Sequence, residues 1–424
     1  MQSISSGASS LLGLALIVCT PAAAAPCAER VDRLTVVTCA INASLDLAAA
    51  STDASGARAR LSAASVLLPS NPNVGFSLGR RSSNVDEGVN WSASLSQAIE
   101  IGGQRSARRQ AVEKEIRSSA ASVERARQTA AAAGLVAYFD AVSADELLQL
   151  AERLASVADV LTRVAEGRAS EGISAPIEAA VAYAAGVQLL RLRGEAQALA
   201  AARRSALAVV LGLDPAAHLT LDADLSPLPI EARDASALAA QAEAQHPELL
   251  ALSAQLEAAR ARVGVLERER IPSLTLSAFV QRDGFDEVYW GGGLALPVPL
   301  PAPIGRTNAG EIAEATALVG RADFALRQRR RQIQLEIVQR SRELETRKAA
   351  LALYSPRRLE DAEGLLRALA EELGTGRLAP RDALASEQAL LELLRSYVDA
   401  RREVAVASVE LALVAGRDFE GGMK

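Results

Sequence analysis

Side chains that could perform catalysis or hold a metal ion are scarce in this sequence. Its 424 residues include two histidines, His218 and His246, with three cysteines and two methionines. The histidines are not spaced as zinc ligands are. The histidines, cysteines and methionines together are too few to relay soft metal ions. Nucleophile-elbow, phosphate-loop, HExxH and CxxC patterns are all absent. The sequence therefore predicts a protein that is not an enzyme, with no catalytic residue, metal site or cofactor.

One histidine has a structural explanation in its immediate surroundings. His246 directly precedes Pro247, at the predicted start of a helix. Polar residues at that position cap the helix. His246 is therefore expected to be a capping or surface residue.

Two acidic residues stand in matching segments that resemble turns between long helices. Each segment contains a glycine, then a proline, then an acid at the same intervals: Gly172, Pro176 and Glu178, and Gly376, Pro380 and Asp382. Glycine can adopt the positive φ that such a turn needs, and proline suits a first helical turn. Because an acid also stabilises a helix N-terminus, local structure alone could explain both carboxylates.

The elements that must position these residues are predicted to be mainly helical. Half of the residues are apolar, 3% are aromatic, and the formal net charge is −5. Alanine-rich, aromatic-poor chains favour long, closely packed helices over β-sandwiches. With 51 acidic against 46 basic residues, the chain lacks the basic balance of nucleic-acid binders, and no nucleic-acid partner is expected.

The N-terminus is predicted to be a secretory signal peptide, residues 1–25. The apolar run Leu11–Cys19 is too short to span a bilayer, and an Ala-x-Ala site ends at Ala25. The alternative is a buried N-terminal helix. An oxidising compartment would permit a disulfide between Cys27 and Cys39, although two free thiols are equally compatible with this spacing. The chain after residue 25 contains no apolar run long enough for a transmembrane helix.

The sequence indicates an internal duplication. Similar residues recur in the same order at spacings of 199 to 204 residues: Pro72 with Pro272, Trp91 with Trp290, and Gly172 with Gly376. We predict a first repeat over 26–220 and a second over 221–424, which together form one fold. Each repeat is predicted to contain a helix, a β-hairpin and a long helical hairpin. The β-hairpins cover about 73–101 and 273–299, and the helical hairpins about 104–212 and 306–416.

The predicted strands alternate apolar with small or polar residues, which indicates one apolar face. They also hold a large share of the few aromatic residues. Aromatic rings near strand ends are typical of a membrane-interface belt, and the candidates are Phe76, Trp91, Phe279, Tyr289 and Trp290. The alternative is an ordinary sheet packed on a core.

The helical segments are long and carry heptad seams. Residues 104–166 contain no proline, and 307–373 contain only Pro356, so each segment could reach about 90 Å. Apolar residues follow heptad spacing, which predicts a coiled coil or helical barrel. One set has spacings of 7, 4, 7 and 7 residues, and a second has a strict spacing of seven: Leu326, Ile333, Ile337, Leu344 and Leu351, and Leu384, Leu391, Val398, Ala405 and Ala412. Four strands cannot close a membrane barrel, whereas three chains would supply about twelve, which favours a homotrimer.

These features resemble the TolC-type outer-membrane factor family over essentially the whole mature chain. The residues that carry the resemblance, by their order and duplication, are Leu34-Thr35, Leu67-Leu68-Pro69, Asn71-Pro72, Leu95-Ser96-Gln97, Gly102-Gly103, Tyr138-Phe139, Leu211-Gly212 and His246-Pro247-Glu248-Leu249. The resemblance implies a trimer whose α-helical barrel continues a shared β-barrel of four strands per chain. It also implies a passive exit duct in the outer membrane, with helices projecting into the periplasm.

The resemblance further implies partners and a role for the tips. The expected partners are outer-membrane lipid, a periplasmic adaptor protein and an inner-membrane transporter of the RND type. In the family the tips form the periplasmic entrance and meet the adaptor, and acidic residues line the closed aperture. By this resemblance, Glu178 and Asp382 would line the closed aperture. The other expected residues of the tips are Gly172, Pro176, Gly376 and Pro380.

Within the family, one segment resembles the branch that exports heavy-metal cations. It runs from Gln97 through Glu100 and Gly102-Gly103 to Arg105, whereas the second repeat lacks a corresponding glutamate. An outer-membrane channel for type I protein secretion is the alternative function. A periplasmic coiled-coil protein that never enters a membrane is a third, which the two amphipathic hairpins disfavour.

Overall fold

The computed structural model describes most of the chain after its N-terminal segment. The described residues are 30–82, 87–173, 175–230, 234–283, 287–300, 304, 307–355, 357, 364, 368 and 380–419. The predicted signal peptide and Cys27 therefore lie outside the described residues.

Helices account for most of the described chain, as predicted. Eight helices are bounded as follows: α1 Arg33–Ala43, α2 Leu45–Ala64, α3 Gln104–Ser170, α4 Pro176–Val210, α5 Ala235–Gln245, α6 Pro247–Arg268, α7 Ala309–Leu351 and α8 Pro380–Val414. The strands are β1 Arg30–Val31, β2 Asn73–Ser82, β3 Glu87–Ile99, β4 Thr220–Leu221, β5 Leu274–Arg282 and β6 Val288–Ala295.

The strands form two sheets. The larger sheet has four antiparallel strands in the order β2-β3-β5-β6, so the two predicted β-hairpins lie side by side. In the smaller sheet, β1 pairs in parallel with β4. The order helix, β-hairpin, long helix, second long helix occurs twice along the chain. This order fits the predicted duplication, which itself stays a prediction.

The longest helix, α3, has 67 residues and extends about 100 Å at 1.5 Å per residue. It packs against α4, which runs back along it after a tight turn, and also against α2, α6 and α8. The helices α7 and α8 form the corresponding pair in the second half. The larger sheet lies at one end of these paired long helices.

The heptad seam on α7 forms part of the main hydrophobic core. Leu326, Ile333, Ile337 and Leu344 are buried, and Leu351 packs against the same cluster. Val398, Ala405 and Ala412 of the second seam are buried too. The spacing of seven residues therefore identified core positions correctly, because it keeps one face of a helix directed at its neighbours.

Truncation of this seam should destabilise the protomer. We expect Leu344→Ala to lower the free energy of unfolding by about 3 kcal/mol, since Leu344 is fully buried and a cavity would remain. Leu335→Ala is the matched control on the same helix, because Leu335 is exposed and should change stability by less than about 0.5 kcal/mol. Urea unfolding of both variants tests this, and equal losses would contradict the assignment of the seam to the core.

The end of α7 differs from the predicted boundary. The sequence indicated a helical segment over 307–373, but α7 ends at Leu351 and its C-cap is Ala352. The proline at position 356 explains the end. A proline removes the hydrogen bond to the carbonyl four residues earlier and its ring clashes with that carbonyl, which here belongs to the C-cap residue.

Candidate functional site

The four-stranded sheet is the first part of the candidate site, and its register divides its residues between two faces. Phe76 pairs with Ala93, Ala93 with Val280, and Val280 with Trp290. Residues paired across antiparallel strands lie on the same face, and every second residue follows them. One row across the sheet therefore assigns all four strands.

One face of the sheet is apolar over most of its area. Its members are Val74, Phe76 and Leu78 on β2, Val89, Trp91, Ala93 and Leu95 on β3, Leu274, Leu276, Ala278 and Val280 on β5, and Val288, Trp290, Gly292 and Leu294 on β6. Most of its large side chains are exposed in the protomer, with Phe76 at 70% and Trp290 at 85%, whereas Trp91 is half-buried. Only its hairpin-loop end is charged, through Arg80, Glu87 and Arg282, and Arg80 forms an ion pair with Glu87. A continuous exposed apolar face of this kind marks an interaction surface for protein or membrane.

The opposite face carries small and polar residues. They include Gly75, Ser77 and Gly79 on β2, Ser92, Ser94 and Ser96 on β3, Thr275, Ser277 and Gln281 on β5, and Gly291 and Gly293 on β6. The hydroxyls of Ser77 and Ser92 share a hydrogen bond of 2.7 Å. Alternation between an apolar and a polar face is the pattern of strands that separate lipid from a water-filled lumen.

The register separates the five aromatic residues that were predicted to form one interface belt. Phe76, Trp91 and Trp290 lie on the apolar face, whereas Phe279 and Tyr289 lie on the opposite face. The Phe279 ring covers Gly291, where an added Cβ would come within 2.8 Å of the ring. The glycine thus provides the space for this ring. Phe279 and Tyr289 therefore do not share a face with the other three aromatic residues, because neighbouring residues on a strand point to opposite faces.

Both outer strands of the sheet have a free edge within the protomer. β2 pairs only with β3, and β6 pairs only with β5, among the strands that the structure describes. A free edge exposes unpaired backbone N–H and C=O groups, which can pair with another chain. Both edges of the described sheet are therefore unpaired within the protomer. Its two faces nevertheless differ as those of a barrel wall do.

The junction between β3 and α3 is the second part of the site, and it contains the segment Gln97–Arg105. Both guanidinium Nη atoms of Arg108 donate to the Glu100 carboxylate, one of them at 2.8 Å. Gln104 donates to the Ile271 carbonyl at 2.7 Å, and Arg105 donates twice to the Ser65 carbonyl. These bonds join the end of the sheet to the ends of α6 and α2.

The geometry of this junction limits what Glu100 can do chemically. Its side chain is only 9% exposed and both of its oxygens accept from Arg108. The hydrogen bond with Glu100 raises the pKa of the Arg108 guanidinium. Sequence reasoning singled out Glu100 but missed Arg108, eight residues later, because charge alone does not show which basic residue faces it. Glu100 therefore acts here as an ion-pair partner within the protein.

The third part of the site is the turn between α3 and α4, which has the predicted glycine. Gly172 has φ +73°, and the N–H of Ile173 donates to the Arg168 carbonyl at 2.9 Å. This is the Schellman pattern that ends helices at a left-handed residue. Pro176 then begins α4. The turn between the two long helices is thus built as the sequence predicted.

The two acidic tip residues occupy equivalent backbone positions. Glu178 is the third residue of α4, which begins at Pro176, and Asp382 is the third residue of α8, which begins at Pro380. Gly376 lies outside the described residues, and so do the side chains of Glu178 and Asp382. The role of these carboxylates in an aperture stays a prediction.

His246 is a helix cap, as predicted, but it is buried rather than on the surface. Its Nδ1 accepts from the Glu248 N–H at 3.2 Å at the start of α6. Burial lowers the pKa of the imidazole below its usual 6.5. The positive charges of Arg329 and Arg125 also lower this pKa, whereas the negative charges of Glu248 and Glu336 raise it. Among the described residues, no three His, Cys, Asp or Glu side chains group as metal ligands do.

This lowered pKa predicts a pH dependence of stability. Below about pH 6.5 the unfolded chain protonates His246 while the folded chain resists it, so the free energy of unfolding falls as the pH drops. Asparagine is also a good N-cap, and His246→Asn should therefore fold and should flatten this dependence between about pH 7.5 and 5. Urea unfolding across that range tests it. An unchanged slope in the variant would contradict the burial of a neutral imidazole.

Cys39, which lies on α1, is the one residue of the predicted disulfide that the structure describes. Cys39 is buried and disulfide-bonded, while the other two cysteines, Cys19 and Cys27, lie outside the described residues. The pairing of Cys27 with Cys39 stays a prediction.

In the described part of the chain, no helix by itself has the length and apolarity to cross a membrane. The pair Arg33–Ala43 and Leu45–Ala64, bent by 51°, meets those criteria only when taken together.

Comparison with known proteins supports the architecture. No family model matches the chain. Its sequence is 29% identical over 283 residues to Protein CyaE of Bordetella pertussis, which covers 63% of this chain and 59% of that protein. It is 25% identical over 325 residues to the cobalt-zinc-cadmium resistance protein CzcC of Cupriavidus metallidurans, with 77% of each chain covered. The match to CyaE thus spans about three fifths of that relative's length.

Solved structures resemble the fold over nearly the whole chain. CusC, described for its transmembrane channel formation, matches with a TM-score of 0.71 at 17% identity, covering 91% of this chain and 92% of CusC. The open-state MtrE outer membrane channel of Neisseria gonorrhoeae matches with a TM-score of 0.69 at 16% identity, covering 92% and 90%. The outer membrane protein VceC of Vibrio cholerae matches with a TM-score of 0.68 at 19% identity, covering 91% and 96%.

By their names, these neighbours are a transmembrane channel, an outer membrane channel and an outer membrane protein. The resemblance drawn from the sequence is therefore confirmed: this chain has the fold of the TolC-type outer-membrane factors.

Proposed function

We propose that this protein is a passive outer-membrane exit duct of a tripartite efflux system. It would work with a periplasmic adaptor and an inner-membrane transporter of the RND type, which supplies the energy. The observation that carries the proposal is the sheet with one apolar and one small, polar face, continued by long helices of which α3 extends about 100 Å. A sheet of this kind fits a barrel wall in lipid, and the helices are long enough to extend the conduit.

The free edges of β2 and β6 support assembly as a homotrimer. In lipid an unpaired strand edge is costly, because water cannot satisfy its N–H and C=O groups. Pairing of β6 with β2 of the next copy would close the sheet, and three copies would give about twelve strands. The apolar face would then contact outer-membrane lipid, and the serine and glycine face would line the lumen. The exposed apolar face also disfavours a periplasmic coiled coil that never enters a membrane.

Export of heavy-metal cations is the substrate class that we propose. The similarity to the cobalt-zinc-cadmium resistance protein CzcC supports it. The described residues offer no cluster of metal ligands, and Glu100 is already paired with Arg108. Choice of the cation would therefore rest with the inner-membrane transporter.

The hairpin tips are proposed as the periplasmic entrance and the adaptor-docking sites. Glu178 and Asp382, in equivalent positions after Pro176 and Pro380, would form an acidic constriction with threefold symmetry. Rings of carboxylates favour cations over anions in a pore. The glycines Gly172 and Gly376 would shape the turns that present them.

This constriction gives a measurable prediction. In planar bilayers, Glu178→Gln with Asp382→Asn should lower the cation-to-anion permeability ratio by about threefold, since the ring of negative charge is removed. Glu171→Gln is the matched control, because Glu171 is an exposed carboxylate that caps the end of α3 just before the turn. Wild-type selectivity in the double variant would exclude the aperture role and leave helix-end stabilisation as the explanation of both acids.

A growth-inhibition profile of a deletion strain tests the proposed function. Hypersensitivity limited to divalent metals such as zinc, cobalt or cadmium is expected, with restoration by the wild-type gene. Hypersensitivity to dyes, detergents and antibiotics instead would retain the duct and exclude the metal assignment. Loss of a secreted protein without either sensitivity would favour type I secretion.

A further inference from the structure

The segment that follows β6 continues the apolar face beyond the end of the sheet. Leu296, Val298, Leu300 and Ile304 have exposed fractions of 52%, 74%, 47% and 81%. They succeed Trp290 and Leu294, which lie on the apolar face of β6. Every second residue from Trp290 to Leu300, apart from Gly292, is therefore a large exposed apolar side chain.

The composition of this segment is unusual for a strand exit. Between Glu287 and Arg306 the sequence has no charged residue, and prolines occupy positions 297, 299, 301 and 303. A proline holds the preceding residue in an extended conformation and has no backbone N–H. In the described part of the segment, Pro297 and Pro299 thus remove the donors along one edge, which lowers the cost of placing that edge in an apolar medium.

The corresponding exit of β3 is built differently. There Glu100 is paired with Arg108, and Arg105 and Gln104 bond to backbone carbonyls of the helices. That exit is fixed to protein by charged and polar contacts. Between Leu296 and Ile304 the exit of β6 has no charged residue, and its described large apolar side chains are exposed. The two exits therefore face different surroundings.

The length of β6 also points to what this segment contacts. β6 has 8 residues, and at about 3.3 Å per residue with a tilt of about 40° it is about 20 Å tall. The lipid-facing band of membrane barrels is about 25 Å tall. The residues from Leu296 to Leu300 would supply the missing height at the end of the strand that leads into α7.

We propose that Leu296, Val298, Leu300 and Ile304 form a lipid-contacting surface at the periplasmic leaflet of the outer membrane. The occupant of this surface is the acyl and interfacial region of the bilayer. The charge-free composition, the alternate prolines and the continuity with the apolar face of the sheet favour lipid over a protein partner. The proposal rests on the outer-membrane function proposed above.

Quenching by brominated phospholipid tests the proposal on the full chain reconstituted in vesicles. The chain has two tryptophans, Trp91 and Trp290, so Trp91→Phe leaves Trp290 as a reporter for the sheet. In a Trp91→Phe/Trp290→Phe background, Val298→Trp reports on the segment, and Ile304→Trp is a second reporter if Val298→Trp does not fold. Leu335→Trp, at an exposed position on α7, is the matched control away from the sheet.

We expect quenching of the Val298→Trp reporter within about twofold of that of Trp290, and at least about fivefold above the Leu335→Trp control. If lipid quenches Trp290 but quenches the Val298→Trp reporter no more than the Leu335→Trp control, the proposal would be overturned. The channel function would remain intact in that case. Disulfide formation between protomers of a Leu67→Cys/Val298→Cys variant would then assign the segment to a second copy. Absence of quenching at Trp290 would overturn the outer-membrane function, and with it this surface.

Discussion

Replacement of Leu95 by arginine is expected to abolish stable assembly in the membrane. Leu95 lies on the apolar face of β3, between Val74 and Ala278. An arginine on the lipid face of a barrel costs about 2–4 kcal/mol near the bilayer midplane, and a trimer would carry this cost in every copy. The amount of heat-resistant oligomer in outer-membrane fractions measures the effect.

Ser94→Arg is the matched control, one residue away on the same strand. Ser94 lies on the small, polar face and stands over Gly75, which leaves room for a longer side chain. We expect normal assembly with altered conductance, because substitutions on the lumen face tune selectivity rather than stability. Equal assembly of both variants, or loss of only the Ser94→Arg protein, would contradict the orientation of the sheet.

Removal of Arg108 is expected to have the second largest effect. Arg108→Ala would leave the Glu100 carboxylate, which is 9% exposed, without a counter-ion. Breaking one partner of such a pair costs about 3 kcal/mol, and the loss should appear as a lower urea midpoint. Glu100→Gln in the same chain removes the unpaired charge and should restore at least about half of that loss.

Arg109 provides the control for this ion pair. It pairs with Glu113 four residues away on the same helix, and both side chains are well exposed. Arg109→Ala should therefore cost no more than about 0.5 kcal/mol. A similar loss for the Arg108 and Arg109 variants would show that general helix stability, rather than the junction between sheet and helix, is affected.

Local sequence patterns were sufficient to predict the main elements. Heptad spacing identified the core seam around Ile333 and Leu344, and alternation identified all four long strands. The seams depend only on neighbours along one chain, so a periodic signal exists in the sequence. The turn at Gly172 was predictable for the same reason, because positive φ favours glycine.

Features that depend on distant contacts were not predicted. The β1–β4 pair joins Arg30 to Thr220, and two-residue strands have no periodicity to detect. The ion pair of Arg30 with Asp222, which lies beside that pair of strands, also required the folded chain. Phe279 was grouped with the other aromatic residues because they cluster in the strand segments, whereas strand parity and the space over Gly291 decide the face on which it lies.

Conductance of the purified protein in a planar bilayer tests the central claim most directly. The account predicts discrete, stable conductance steps without nucleotide or any other energy source, because the channel is passive. Each step should correspond to insertion of one oligomer. A protein that inserts into the bilayer without conducting, or that remains in solution as a monomer, would contradict the account.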